Sequence, residues 1–164
     1  MQFKRIYVEI TNTCNLSCSF CIQNQRKPRR MSVAQFSHVI REIKPYTGHV
    51  YLHVLGEPLS HPDLKTFLQI CDEQGMQVNL TTNGTLLKAC RDVLINSRLR
   101  QVNVSLHSFP EHEQPQYLEH VFSVCEELAQ RGVHISYRLW SVQNGMLSGE
   151  STRLLQRLAR HYHI

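Results

Sequence analysis

The chain of 164 residues is 41% hydrophobic and 19% charged, an ordinary globular balance that suits one domain over 1–164 and leaves no room for a second. No run of eighteen apolar residues occurs, which excludes a membrane-spanning helix, and the charged, alternating start MQFKRIYVEI is unlike a secretory signal, so the expected compartment is cytoplasmic. The net charge of +5 is modestly basic; its densest stretch, Arg26, Lys27, Arg29 and Arg30 around Pro28, has no interleaved aromatics and reads as a solvated loop, with an anionic contact as the sharper alternative.

KRIYVEI (4–10) is a β-branched run that predicts a first strand. Beyond it, Ser32 and Gln35 form a capping-box pattern, followed by Phe36, Val39, Ile40 and Ile43 at helical spacing. HVYLHVL (49–55) predicts a second strand, apolar enough on both faces to be covered on both sides. Leu64, Phe67, Leu68 and Cys71 make a helical stripe closed by Gly75, and MQVNLTT (76–82) a third strand. Leu86, Cys90, Val93 and Leu94 make the next stripe, before QVNVSLHS (101–108), the fourth strand. The helix through Leu118, Val121, Phe122, Cys125 and Leu128 ends at Gly132, VHISYRLW (133–140) is the fifth strand, and 150–162 is a final amphipathic helix. Alternating strands and helices imply an α/β fold with parallel strands and right-handed crossovers. At about 30 residues per unit the chain holds five to six units, a partial, incomplete TIM-like barrel rather than eight.

Such folds place chemistry at the carboxyl ends of their strands. Those ends carry Cys14, Cys18 and Cys21, then Gly56-Glu57-Pro58, Asn83, Ser105 with His107, and Arg138. In a reducing compartment, three thiols spaced C-x3-C-x2-C suggest a soft metal centre, zinc or iron–sulfur, rather than a disulfide framework. No fourth thiol lies nearby, although ten histidines leave a zinc site open. Cys71, Cys90 and Cys125 sit on apolar stripes and read as core.

Cys14-Asn15-Leu16-Ser17-Cys18-Ser19-Phe20-Cys21 resembles the C-x3-C-x-aromatic-C signature of the radical S-adenosylmethionine (radical SAM) superfamily, and Gly56-Glu57-Pro58 resembles its GGEP motif, with Leu55 replacing the first glycine. The resemblance spans essentially the whole chain. It implies a 4Fe–4S cluster on the three cysteines, whose open iron chelates S-adenosylmethionine (SAM). One-electron cleavage of the sulfonium would then give a 5′-deoxyadenosyl radical that abstracts hydrogen from a substrate. It also implies an electron donor such as flavodoxin or ferredoxin. Glu57 would accept from the SAM ammonium, Phe20 would pack beside the cluster or adenine, and Asn83, Ser105, His107 and Arg138 would meet cofactor or substrate. Peptide, protein, nucleotide or RNA substrates all stay open.

Two other classes compete: a non-catalytic zinc or iron–sulfur module on the same fold, and a thiol redox protein, which lacks its usual lone C-x-x-C at a helix start. Five units and an apolar last strand, including Ile135, Tyr137, Leu139 and Trp140, also lead to the expectation that the chain is the N-terminal part of a longer protein or has a partner covering that edge.

Overall fold

A computed structural model describes residues 2–22, 26–108, 116–139, 142–143 and 146–164. Four parallel strands form one open sheet in the order β1 (His49–Tyr51), β2 (Gln77–Thr82), β3 (Leu99–Ser105) and β4 (His134–Arg138). Helices α1 (Val33–Ile43), α2 (Leu64–Glu73), α3 (Leu87–Ile95) and α4 (Tyr117–Gln130) provide the crossovers. A two-residue ladder, β5 (Val142–Gln143) against β6 (Met146–Leu147), precedes α5 (Gly149–Tyr162). The α/β, unclosed architecture is the one the alternating pattern implies.

Local signals explain the helix limits. Ser32 and Gln35 make both bonds of the capping box at the start of α1. After α4, Gly132 takes a φ of +82° and the Val133 amide reaches back to Leu128 O at 3.1 Å, the crossed bonding of a Schellman stop. The stripe expected on α3 is rotated: Leu87 and Leu94 are fully buried, while Leu86, Cys90 and Val93 are only partly so.

The first predicted strand shrinks to one parallel bridge, Tyr7 with Tyr51. Two backbone bonds flank it, Val8 N to Tyr51 O and Tyr51 N to Ile6 O. The physical reason lies in β1, which is three residues long. Past it, the Leu55 amide is taken by the carboxylate of Glu9 at 3.0 Å rather than by a ladder carbonyl. A side chain thus finishes what backbone pairing begins.

One sheet face buries Val50, Leu52, Val78, Leu80, Val102 and Val104 within the core shared with the helices. The other face corrects the expectation of apolar cover on both sides. By strand alternation it carries Tyr51, His53, Asn79, Thr81, Gln101, Asn103 and Arg138. Its buried amides are bonded within the sheet: Asn79 Nδ2 to Val50 O at 3.4 Å and Asn103 Nδ2 to Leu80 O at 3.0 Å. On the edge strand, Tyr137 hydrogen-bonds the Tyr162 hydroxyl of α5 at 2.7 Å, and Leu139 packs on the core. The last helix therefore covers the apolar face of β4; Trp140 lies outside the described residues.

His53 stands out on the polar face. Its Nε2 meets Thr81 Oγ1 at 2.9 Å, whereas Nδ1 is the one buried side-chain polar atom without a partner among the described residues. Burial, and then the positive charge of Arg138, push its pKa down from 6.5 to about 4. A depressed histidine stabilises the fold fully above its unfolded pKa, and that stability is lost as the pH falls from 6.5 towards about 4. Chemical unfolding across this window should therefore show a decline that H53Q reduces by about 2 kcal/mol; an identical pH profile for H53Q would contradict the assignment.

Candidate functional site

The cysteine loop leaves the end of the first extended segment and is held by bonds that are long-range in sequence. Asn12 is its anchor: its amide donates to Arg29 O at 3.2 Å, and its side chain receives the Arg29 amide at 2.7 Å and reaches Lys27 O at 3.0 Å. The basic segment after the cysteines therefore doubles back beside the residues that lead into them.

Gly56-Glu57-Pro58 grips the same entry from the other side. Gly56 has φ of +77°, and a Cβ there would stand 2.7 Å from the carbonyl oxygens of both Thr11 and Thr13. Only glycine allows this approach. The Glu57 amide then donates to Thr13 O at 2.8 Å. Pro58 opens a short 3-10 turn, Pro58–Ser60, and its fixed φ suits that first position.

The Glu57 side chain is 1% exposed. Oε1 accepts from the Leu59 amide at 3.0 Å and from Thr82 Oγ1 at 2.8 Å, and Oε2 accepts from the Asn83 amide at 2.7 Å. Burial raises its pKa, and these three donors oppose the rise. A contact with a SAM ammonium, as the motif implies, would have to use the lone pair left on Oε2.

Asn83 joins the β2–α3 loop to the cysteines through a closed ring. Its Nδ2 donates to Asn15 Oδ1 at 2.9 Å; Asn15 Nδ2 donates to Thr85 Oγ1 at 2.8 Å; and Thr85 Oγ1 donates back to Asn83 Oδ1 at 2.7 Å. The same Nδ2 lies 3.7 Å from Cys14 Sγ. Tyr117 of α4 fixes the Asn83 carbonyl at 2.7 Å and stands where a Gly84 Cβ would fall, 2.8 Å away. Asn15, Thr85 and Tyr117 were not singled out from sequence; Asn-Gly at 83–84 signals only a turn.

Cys18 is tied elsewhere, its Sγ donating to Ser108 O at 3.3 Å, just beyond β3. Its pKa is raised, first by burial and then by the charges of Cys14 and Cys21, so the three thiols are near enough to repel as thiolates. A bound cation cluster would relieve that repulsion. Cys14 and Cys21 are exposed. Among the described residues no three His, Cys, Asp or Glu side chains, the cysteine trio included, converge as a single-ion cage. A lone tetrahedral ion would hold its sulfurs less than about 4 Å apart, given metal–sulfur bonds of about 2.3 Å. The thiolates of an iron–sulfur cluster sit on separate irons and stand wider apart, which the absence of a single-ion cage among the described residues allows. Cys71 and Cys125 are buried, with thiols pushed up to about 12, and belong to the core.

Phe20, which is 55% exposed, lies against the His107 ring at a centroid distance of 4.8 Å. His107 Nδ1 in turn bonds Arg138 O at 3.1 Å. Ser105 and Arg138 are register partners at the ends of β3 and β4. These four form a second group at the strand ends, joined to the cysteine loop through Phe20 and Cys18.

The model of the radical SAM superfamily matches residues 8–146. The chain belongs to the radical SAM superfamily. A probable GTP 3′,8-cyclase from Methanococcus maripaludis is 31% identical over 109 residues, 64% of this chain and 37% of that protein. Among solved structures, SuiB of Streptococcus suis bound to S-adenosylmethionine is similar with a TM-score of 0.71 at 19% identity, covering 96% of this chain and 38% of that one. BtrN in complex with AdoMet and 2-DOIA matches with a TM-score of 0.65 at 20% identity, over 84% of this chain and 57% of that one. The chain spans well under half the length of the cyclase. At these identities the two structures establish that the fold is shared with radical SAM proteins.

Replacing Glu57 by Gln turns one acceptor into a donor facing another donor, either the Asn83 amide or the Leu59 and Thr82 pair. E57Q should cost about 1–3 kcal/mol and lower the melting temperature of the cluster-free protein by roughly 2–4 °C per kcal/mol. An unchanged melting curve would show that the carboxylate does not clamp the loops.

Proposed function

We propose that this chain is a radical SAM enzyme core that holds a 4Fe–4S cluster on Cys14, Cys18 and Cys21 and cleaves SAM to initiate hydrogen abstraction from a substrate. The observation that supports it is the thiol trio in one loop, with Cys14 and Cys21 both acting on Cys18 and the loop tied to the residues that follow β2 and β3. When bound, the cluster supplies one electron to the sulfonium of SAM, breaking a C–S bond to leave methionine and a 5′-deoxyadenosyl radical.

The chain's own residues supply position. Gly56 and the Glu57 amide hold the loop entry against Thr11 and Thr13, and the Asn15–Asn83–Thr85 ring holds the residue after Cys14. Phe20 and His107, their rings tilted by 52°, present aromatic surface beside the loop, suited to an adenine or the cluster's flank. Arg138, whose charge reaches His53, and Arg100, whose guanidinium donates to Asn79 Oδ1 at 3.1 Å, supply the cations of a sheet face otherwise lined by neutral hydrogen-bonding groups, where a polar substrate would rest. Relatives and neighbours named for a GTP cyclase, a SuiA precursor peptide and 2-DOIA act on or bind different molecules, so the substrate is left at that chemical class. In the same reading the chain is the core portion of a longer enzyme or works with a partner.

Anaerobic reconstitution with iron and sulfide, followed by reduction and SAM, should give about four irons per chain and 5′-deoxyadenosine, and C14A/C18A/C21A should give neither. One tightly held zinc with intact SAM would replace this reading with a non-catalytic metal module.

A further inference from the structure

Between the segment Arg26–Met31 and the exposed side of α1 lies a groove of about 720 Å³. Its wall carries Arg26, Lys27, Arg29 and Arg30 against a single carboxylate, Glu9, which is already paired with Arg26 at 2.9 Å. Lys27, Arg29 and Arg30 are exposed, and no ion pair ties them to a carboxylate among the described residues. This charge is not simply next to the cysteines in sequence. Asn12 binds the Lys27 carbonyl and both backbone groups of Arg29, so the cations are held beside the entry to the cysteine loop, two residues before Cys14.

We propose that this groove is the docking face for an acidic electron-transfer protein that reduces the cluster. The inference rests on the radical SAM reading above and adds where the electron enters. Three features select that occupant. Exposed, long cations stay solvated, which suits the steering and rim contacts of a transient complex better than a desolvated pocket for a small anion. Apart from His38, no ring among the described residues lines the groove to stack a base, which disfavours single-stranded nucleic acid. Asn12, in its wall, stands two residues before Cys14, so the groove lies beside the loop entry. In the transfer, the partner's flavin hydroquinone loses one electron and becomes the semiquinone, and the oxidised cluster gains that electron.

The test uses the full chain, reconstituted anaerobically, and follows loss of the cluster's visible absorption after mixing with either of two reductants. One is an acidic flavodoxin in its hydroquinone form; the other is photoreduced 5-deazariboflavin, small and uncharged. In K27E/R29E/R30E the flavodoxin rate should fall about tenfold or more at low salt, with the deazaflavin rate within about twofold of wild type. K27Q/R29Q/R30Q, a gentler change, should give an intermediate loss. Added salt should slow the wild type, speed the charge-reversed variant and leave the glutamine variant least affected. The proposal is overturned by an unaltered flavodoxin rate, by equal losses with both reductants, or by RNA retention that needs the three charges while the flavodoxin rate does not. Absence of any cluster absorption at the outset would overturn the underlying radical SAM reading, and this proposal with it.

Discussion

The site is organised around one buried carboxylate. Glu57 joins three stretches of chain that are otherwise separate: the 3-10 turn after its own motif, the end of β2, and through its amide the residues before Cys14. A carboxyl group at 1% exposure is costly to bury unless hydrogen-bonded, and here three donors from two loops converge on it. The same cost makes the arrangement specific, because a donor displaced from its place would leave a buried oxygen unpaired. Loop geometry that would otherwise fluctuate is therefore coupled to the core.

That coupling explains how an exposed loop can present thiols in a fixed grouping. Cys14 and Cys21 are accessible, and Phe20 and Ile22, 55% and 83% exposed, gain little from burial. Hydrophobic packing cannot order this stretch. Order comes from its two tethers: Asn83 to Asn15 on the β2 side, and Ser108 O to Cys18 on the β3 side. Each spans dozens of residues in sequence, so the loop takes its shape only after neighbouring strands are in place.

The legible and illegible parts of the sequence divide along this line. Capping at Ser32, the stop at Gly132, and the crossover pattern depend on residues close together and were readable from spacing. So was the thiol trio, whose three members share one loop. The Asn15–Asn83–Thr85 ring was not, since its partners meet only in the fold. Nor was the polar sheet face, although His49, Tyr51 and His53 recur at every second position and could have marked it. The first strand was overestimated because apolar alternation does not report how much partner strand exists to pair with.

His53 shows how the polar face is kept from gathering further positive charge. A protonated imidazole beside Arg138 would put two like charges on one sheet face, and the depressed pKa keeps the ring neutral there. The Thr81 hydroxyl and the Asn103 amide, bonded at 3.2 Å, then offer fixed dipoles beside the guanidinium groups of Arg138 and Arg100. A face of that kind orients a polar molecule by hydrogen bonds without supplying an acid or base to it. Proton transfer is left out and position is kept, which is the division of labour expected when a bound cofactor performs the bond-breaking step.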